Sequence, residues 1–181
     1  MAALSPDLRD SMLQAVPSMR AFAISLTGNI DQADDLVQEA FLRGLSNLSK
    51  FEAGTNIQAW LFTILRNQFH TAYRKRKREV EDPDGELASR LTSPPEQEGH
   101  LDFEDLKVAL AKLPLEQREA LLLVAAKGFS YEEAAAICGT KLGTIKSRVN
   151  RARAQLAELL GITAAEDLGT SGVIKAALHV A

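Results

Sequence analysis

Between Lys141 and Arg153 the chain carries five cations (Lys141, Lys146, Arg148, Arg151 and Arg153) and no acid. Amphipathic surface helices usually mix signs through i,i+4 pairs, so a one-signed stretch points to a polyanion whose phosphates it neutralises. Leu142, Ile145, Val149, Ala152 and Leu156 recur at helical spacing and predict a buried face. Thr144, Lys146, Ser147, Arg148, Asn150, Arg151 and Arg153 are left outside. Upstream, Ser130 and Glu133 have the spacing of a capping box that starts a shorter helix through Ala134, Ala135 and Ile137. Cys138-Gly139-Thr140 supplies a turn, with Gly139 for a left-handed position and Thr140 as the expected N-cap. Helix, glycine turn and basic helix is the layout of a helix-turn-helix, whose second helix enters the DNA major groove. By that geometry Lys146, Ser147 and Arg148 are expected at base edges, with Lys141 and Thr144 at the groove edge and Arg151 and Arg153 on phosphates.

A second constellation lies earlier. Phe51, Trp60, Phe62, Phe69 and Tyr73 alternate with Arg66 and with the run Arg74-Lys75-Arg76-Lys77-Arg78. Aromatic platforms in a basic groove suit unstacked bases, and Asn67 beside Arg66 is a candidate base-edge reader. Trp60, Leu61, Ile64 and Leu65 fit a core role better, whereas Phe51 in a polar loop is less easily explained as core. A third stretch, Asp34 to Phe41, sets an acidic helix face beside an apolar stripe. A solvated face is the simpler reading of that pattern, and docking of a partner helix the alternative.

No catalytic constellation accompanies these. His70, His100 and His179 have no Ser, Cys or carboxylate partner at a recognisable spacing, and His70 reads as a surface or groove residue. The single cysteine, Cys138, allows no internal disulfide, supports no thiolate zinc site and fits buried packing. No phosphate-cradling glycine loop occurs. The expectation is therefore a protein that is not an enzyme, with no cofactor, metal or small-molecule substrate. The longest apolar run, Ala120 to Ala126, is too short for a membrane span. With no signal peptide visible, a cytoplasmic setting without membrane contact is expected.

The elements that must position these residues are helical throughout, so the fold class is all-α. The net charge of −3 looks wrong for a nucleic-acid binder until it is resolved along the chain. Residues 79–105 hold ten acids against one cation, Arg90; the rest of the chain is net basic. Residues 5–78 form the first module. Ser5-Pro6 opens a helix through Leu8, Met12 and Val16, and Pro17 is expected to start another that stops near Gly28-Asn29. Asp31 is expected to cap a long helix, and Thr55 with Gln58 to box the start of the basic, aromatic one. Asp82-Pro83-Asp84-Gly85 and Ser93-Pro94-Pro95-Glu96 break the chain, so 79–103 reads as a flexible acidic linker. Residues 104–161 form the second module: a helix to Lys112, a stop at Leu113-Pro114, a helix from Glu116 to Lys127, then the helix-turn-helix, ending at Gly161. Residues 162–181 form a tail. The sequence leaves open whether the modules pack together, which would bury DNA-binding surface, or stand apart.

Taken with their order and spacing, Asp-Asp-Leu-Val-Gln-Glu-Ala-Phe, Ala-Trp-Leu-Phe-Thr-Ile-Leu-Arg-Asn, Leu-Pro-x-x-x-Arg-Glu-Ala-Leu and Gly-Thr-Ile-Lys-Ser-Arg-Val-Asn-Arg-Ala-Arg resemble a bacterial extracytoplasmic-function sigma factor over about residues 10–160. The run Arg74 to Glu81 and the Pro-Glu-Gln-Glu-Gly-His segment at 95–100 look most like the alphaproteobacterial general-stress group. The resemblance implies sigma regions 2 and 4, binding to core RNA polymerase (β′ clamp and β flap) and to promoter DNA, and restraint by a small helical anti-sigma factor. It implies that Asp34, Asp35, Gln38, Glu39 and Arg43 dock the β′ clamp. It assigns Lys50, Phe51 and Asn56 to capture of a flipped −10 base, and Trp60, Arg66, Asn67, Arg74, Lys75 and Arg76 to melting and reading that element. Lys141, Thr144, Lys146, Ser147, Arg148, Arg151 and Arg153 fall on the −35 helix. The acidic linker resembles the segment threaded through the polymerase's nucleic-acid channels. A competing reading, a sigma-mimicking anti-anti-sigma interaction protein, would normally carry a receiver domain and need not keep both basic clusters. A helix-turn-helix repressor would want a ligand pocket or dimer helix where residues 50–78 are basic and aromatic.

Overall fold

The computed structural model describes residues 5–79 and 103–161, and within them every regular element is helical. The expected acidic linker and the tail lie outside the described residues, apart from Glu79 and Phe103 at the linker's ends.

Helix α1 runs Pro6–Thr27, capped by the Ser5 hydroxyl, which accepts from the Leu8 N–H. It passes straight through Pro17, which therefore does not start a new helix. The reason is packing: Met12, Ala15, Met19, Phe22, Ala23 and Leu26 form one buried stripe across the proline, and Pro17 faces solvent. Continuous burial offsets the one lost backbone bond. Gly28, at φ 66°, stops the helix as expected.

Helix α2 (Ile30–Ser46) is capped by Asn29, whose side chain accepts from Gln32 N, and not by Asp31. A short 3-10 turn, Leu48–Lys50, leads to the loop before α3 (Ile57–Glu79). Here too the cap differs from expectation. Asn56 Oδ1 accepts from Gln58 N and Ala59 N, while the Thr55 hydroxyl donates back to Glu52 O. In both cases the Asn just before the helix presents its oxygen to the first-turn N–H groups. Helices α1, α2 and α3 pack on one another around Met12, Met19, Phe22, Val37, Leu61, Phe62 and Leu65.

In the second module α4 (Phe103–Lys112) stops before Leu113-Pro114, and α5 (Leu115–Leu121) runs into a π-helical turn, Leu122–Ala126. The single regular helix expected from Glu116 to Lys127 is thus widened at its end. Lys127 N reaches back five residues to Leu122 O, which tilts the exit and carries Phe129 toward the first module. Helix α6 (Tyr131–Cys138) has the full Ser130–Glu133 capping box, and Gly139 at φ 62° ends it. Helix α7 spans Leu142–Leu160. Its N-cap is Lys141, without a side-chain bond, so Thr140 is not the cap. Ile145, Val149, Ala152 and Leu156 are fully buried, as their spacing requires.

The two modules pack together: α3 lies against α6, and α1 touches α4. The Phe62 and Phe129 rings meet edge-on, 5.2 Å apart, and Arg118 Nη1 donates to Ser25 O at 2.6 Å.

Candidate nucleic-acid and polymerase interfaces

Helix α7 presents Lys141, Lys146, Asn150 and Arg151 to solvent, with Thr144, Ser147, Arg148 and Arg153 half-buried. Its first turn holds no acid and its N-cap side chain leaves the leading N–H groups without a side-chain acceptor. A helix N-terminus of that kind attracts phosphate. Two expected readers are engaged within the module. The Ser147 hydroxyl donates to Thr144 O, and Arg148 Nη2 donates to Glu116 Oε2 at 2.6 Å, which fixes the guanidinium between α5 and α7. Arg153 has its Nε buried without a partner among the described residues, so it lies along the module more than it projects from it.

Around α3 the expected −10 residues divide into four groups. Asn67, Arg74 and Lys75 are exposed on the outer side, and Lys50 is exposed in the 3-10 turn. Phe51 packs against Trp60 with ring centroids 5.5 Å apart and the rings tilted by 53°, both half-buried against the core. The loop phenylalanine is thus seated by the tryptophan. Arg76 Nη1 donates to Gln32 Oε1 and lines a shallow cleft with Asp35, Glu39 and Phe69, so it faces α2. Asn56 and Arg66 point into the second module: Asn56 Nδ2 donates to Glu133 Oε1 at 2.8 Å, and Arg66 donates to Glu119 Oε2 through Nε and Nη2 at 3.2 and 3.1 Å.

Glu119, which the sequence marks only as a member of the Leu-Pro-x-x-x-Arg-Glu-Ala-Leu motif, is the one fully buried charged side chain among the described residues. Its other oxygen accepts from His70 Nε2 at 2.6 Å. His70 is therefore an interface residue, not the surface or groove residue expected. A buried carboxylate requires such pairing, because desolvation alone disfavours it strongly. The available signal was positional: Glu119 lies on the same helical face as Leu122, Leu123 and Ala126, an acid where the period calls for an apolar side chain. Beside it, burial pushes the Cys138 thiol up to about 11, with the Arg66 charge opposing. Burial likewise lowers Lys127, whose ammonium lies 5.9 Å above the Phe62 ring.

On α2, Asp34, Asp35, Gln38, Glu39 and Arg43 are all exposed and form one continuous face. Asp34 is not unpartnered: Arg20 donates to both its oxygens, at 2.6 and 3.3 Å. Glu39 and Arg43 form a loose i,i+4 pair at 3.5 Å. Both pairs are solvent-exposed, so each costs little to exchange for an external partner. Leu42 and Ile30, more than half exposed, add apolar surface to the same helix. Among the described residues no group of His, Cys, Asp or Glu could hold a metal, and no helix is long and apolar enough to cross a membrane.

Residues 12–79 match the family described as Sigma-70 region 2, and residues 103–156 match Sigma-70, region 4. The chain is 61% identical over 175 residues to the ECF RNA polymerase sigma factor EcfG of Rhodopseudomonas palustris, covering 97% of each. The solved sigma factor RpoE of Bartonella quintana, in complex with the anti-sigma factor NepR, is 50% identical, with 88% of this chain and all of that one aligned at a TM-score of 0.77. A chain of the PhyRSL–NepR complex from Sphingomonas sp. Fr1 aligns at a TM-score of 0.62 over 87% of this chain and 91% of that one, but at 22% identity that likeness shows the fold alone. Two small helical modules carrying these two regions define a transcription-initiation factor of the sigma-70 type. The chain belongs to the ECF RNA polymerase sigma factors.

Proposed function

We propose that this sigma factor serves a general stress response, docking the α2 face on the polymerase β′ clamp and the second module on the β flap. In this reading α7 enters the major groove of the −35 element, while the Lys50–Asn56 loop and α3 capture and read the −10 strand. The observation that carries it is the single-signed, solvent-facing row on α7, presented by a helix-turn-helix whose first helix is fixed by its capping box. The seating of Phe51 on Trp60 supports base capture, because a rigid ring loses little entropy when a base stacks on it. The high identity to EcfG supports the assignment to the stress group. The solved relative bound to NepR supports control by a small anti-sigma protein, since that likeness extends over both modules. Such a factor works in the cytoplasm, with no small-molecule substrate and no cofactor. The proposed domain limits are 5–78 and 104–161, with 79–103 as the linker and 162–181 as the tail.

The test is run-off transcription with purified core polymerase on promoters of stress-induced genes. Promoter-specific transcripts are expected from the chain alone plus core. Binding to an anti-sigma protein without any transcription would instead favour a sigma-mimicking interaction protein.

A further inference from the structure

The faces of α3 are unequally used. Phe62, Arg66 and His70 follow one another at i, i+4 and i+8, and all three meet the second module. Arg66 keeps only 13% of its side-chain exposure and His70 17%, against a carboxylate of Glu119 that keeps none. Asn56, at the head of the same helix, is held by Glu133 of α6. In each of the two polar contacts, a side chain that the preceding reading turns toward nucleic acid meets an acid of the second module. Glu119 presents to Arg66 the same chemistry as a phosphate oxygen, a delocalised anion accepting from a guanidinium fork.

We propose that the free chain is self-masking: Glu119, assisted by Glu133, acts as an internal phosphate mimic that latches α3 to the second module and withholds Asn56 and Arg66 from DNA until the modules part. This rests on the assignment of α3 and its preceding loop to the −10 element. The contact is built to be exchanged. Its aromatic part is Phe62 against Phe129, and its polar part is the buried Glu119 charge cluster with two single hydrogen bonds, Asn56 to Glu133 and Arg118 to Ser25 O. Such a cluster is worth little against solvation when intact but costs heavily when one partner is lost. Interfaces between modules of one chain are open to relative motion unless large and apolar. A competing polyanion offers Arg66 a replacement partner as the modules separate.

Cys138 supplies the probe. It is the only cysteine in the chain, it is buried, and the Arg66 charge of the opposite module acts on it. Parting the modules relieves the burial that raises the thiol's pKa, so its modification rate reports opening. The experiment uses the full chain, with Glu119→Gln (same shape, charge removed) and, independently, Asn56→Asp, which keeps the helix cap and sets a like charge against half-buried Glu133. Cys138 is titrated with Ellman's reagent under native conditions, with the radius of gyration from solution scattering and helicity from circular dichroism in parallel. Binding of a fluorescent single-stranded oligonucleotide of random sequence is measured for Glu119→Gln, with Asp10→Asn as the charge-matched control.

Wild type is expected to label slowly and to scatter as a closed particle. Loss of one partner from a buried ion cluster should raise labelling of Glu119→Gln by roughly tenfold or more, Asn56→Asp by less, both with an enlarged radius and unchanged helicity. Glu119→Gln should also bind the oligonucleotide more tightly than the control. Wild-type labelling as fast as in denaturant, or rates and radii unmoved in both variants, would overturn the latch. Faster labelling with no gain in oligonucleotide binding overturns the masking by refuting the DNA-facing assignment of α3, while leaving the closure itself standing.

Discussion

Gly44 is where α2 and α3 cross, and replacing it tests whether that crossing is as close as the structure has it. A Cβ at Gly44 would lie 2.7 Å from Leu61 Cδ2, with Trp60 Cζ3 at 3.7 Å and Ile64 Cδ1 at 3.8 Å. Leu61 is fully buried, so its methyl has no free space to swing into. Two effects oppose each other in Gly44→Ala. Helix propensity favours alanine by about 1 kcal/mol in a helix interior. Overpacking a filled core costs about 1–3 kcal/mol. The clash should win, for a net loss of about 1 kcal/mol, read as a fall of roughly 2–4 °C in melting temperature. Urea unfolding should show a lower midpoint with an unchanged m-value, since the surface exposed on unfolding is the same. The companion variant is Leu61→Val. Alone it should cost about 1 kcal/mol by leaving a small cavity; combined with Gly44→Ala it should cost less than the sum, because the two residues share the contested volume. If Gly44→Ala stabilises the chain by the propensity term alone, the two helices are farther apart than described. The placing of the acidic α2 face relative to the Phe51–Trp60 pair would then need revision.

Three further outcomes test the interfaces. Asp35→Ala and Glu39→Ala should weaken binding to core polymerase several-fold in a pull-down or fluorescence titration while leaving the melting temperature unchanged; unchanged affinity in both would count against docking by α2. Phe51→Ala and Asn67→Ala should reduce transcription more on duplex promoters than on templates already melted at the −10 element, whereas equal losses on both would indicate a folding defect. In binding to a −35 duplex and its single-base variants, Arg148→Ala should lose about 1–3 kcal/mol of discrimination at one position. Exposed Arg151→Ala should instead weaken every sequence alike and lower the salt slope by about one unit, and the reverse pattern would show that α7 is oriented differently.

Legibility in the sequence followed the reach of each interaction. The helix-turn-helix could be read because its determinants are local: Ser130 and Glu133 box a helix three residues apart, Gly139 takes a left-handed turn, and Ile145 to Leu156 keep one period. Pro17 misled because a local breaker is outweighed by the stripe that α1 buries against other helices, which runs unbroken across the proline. The caps at Asn29 and Asn56 were each placed off by one or two residues because several cap-forming side chains sit in a row, and only the backbone path decides which oxygen meets the N–H groups. Glu119, His70 and Arg66 come from positions about fifty residues apart, and no spacing rule within either helix connects them.

Helix α3 shows why the same side chains were assigned to nucleic acid and were found on protein. Its buried face, Ile57, Leu61, Leu65 and Gln68, is taken by its own module. One remaining stripe, Phe62, Arg66 and His70, is amphipathic enough to serve either a second module or an unstacked strand: an aromatic ring, a guanidinium fork and an imidazole suit carboxylates and phosphates equally. The other stripe, Asn67, Arg74 and Arg78, has no apolar member and stays in solvent with the modules closed. The closed chain therefore keeps an outer row of cations available for a first, weakly held contact with DNA. Opening is required only for the face that would hold an extruded base. Initial attraction through exposed charge followed by exchange of an internal anion for an external one needs no change in the helix itself, only separation of two bodies already joined by a linker rich in acid. Neutralising Arg74 and Arg78 together should accordingly slow association with promoter DNA in a salt-dependent way. Neutralising Arg66 should leave that rate unaltered and shorten the lifetime of the opened complex. Stopped-flow binding read alongside complex decay after heparin challenge separates the two. An equal effect of both changes on the association rate would refute the division of α3 into an encounter stripe and a masked one.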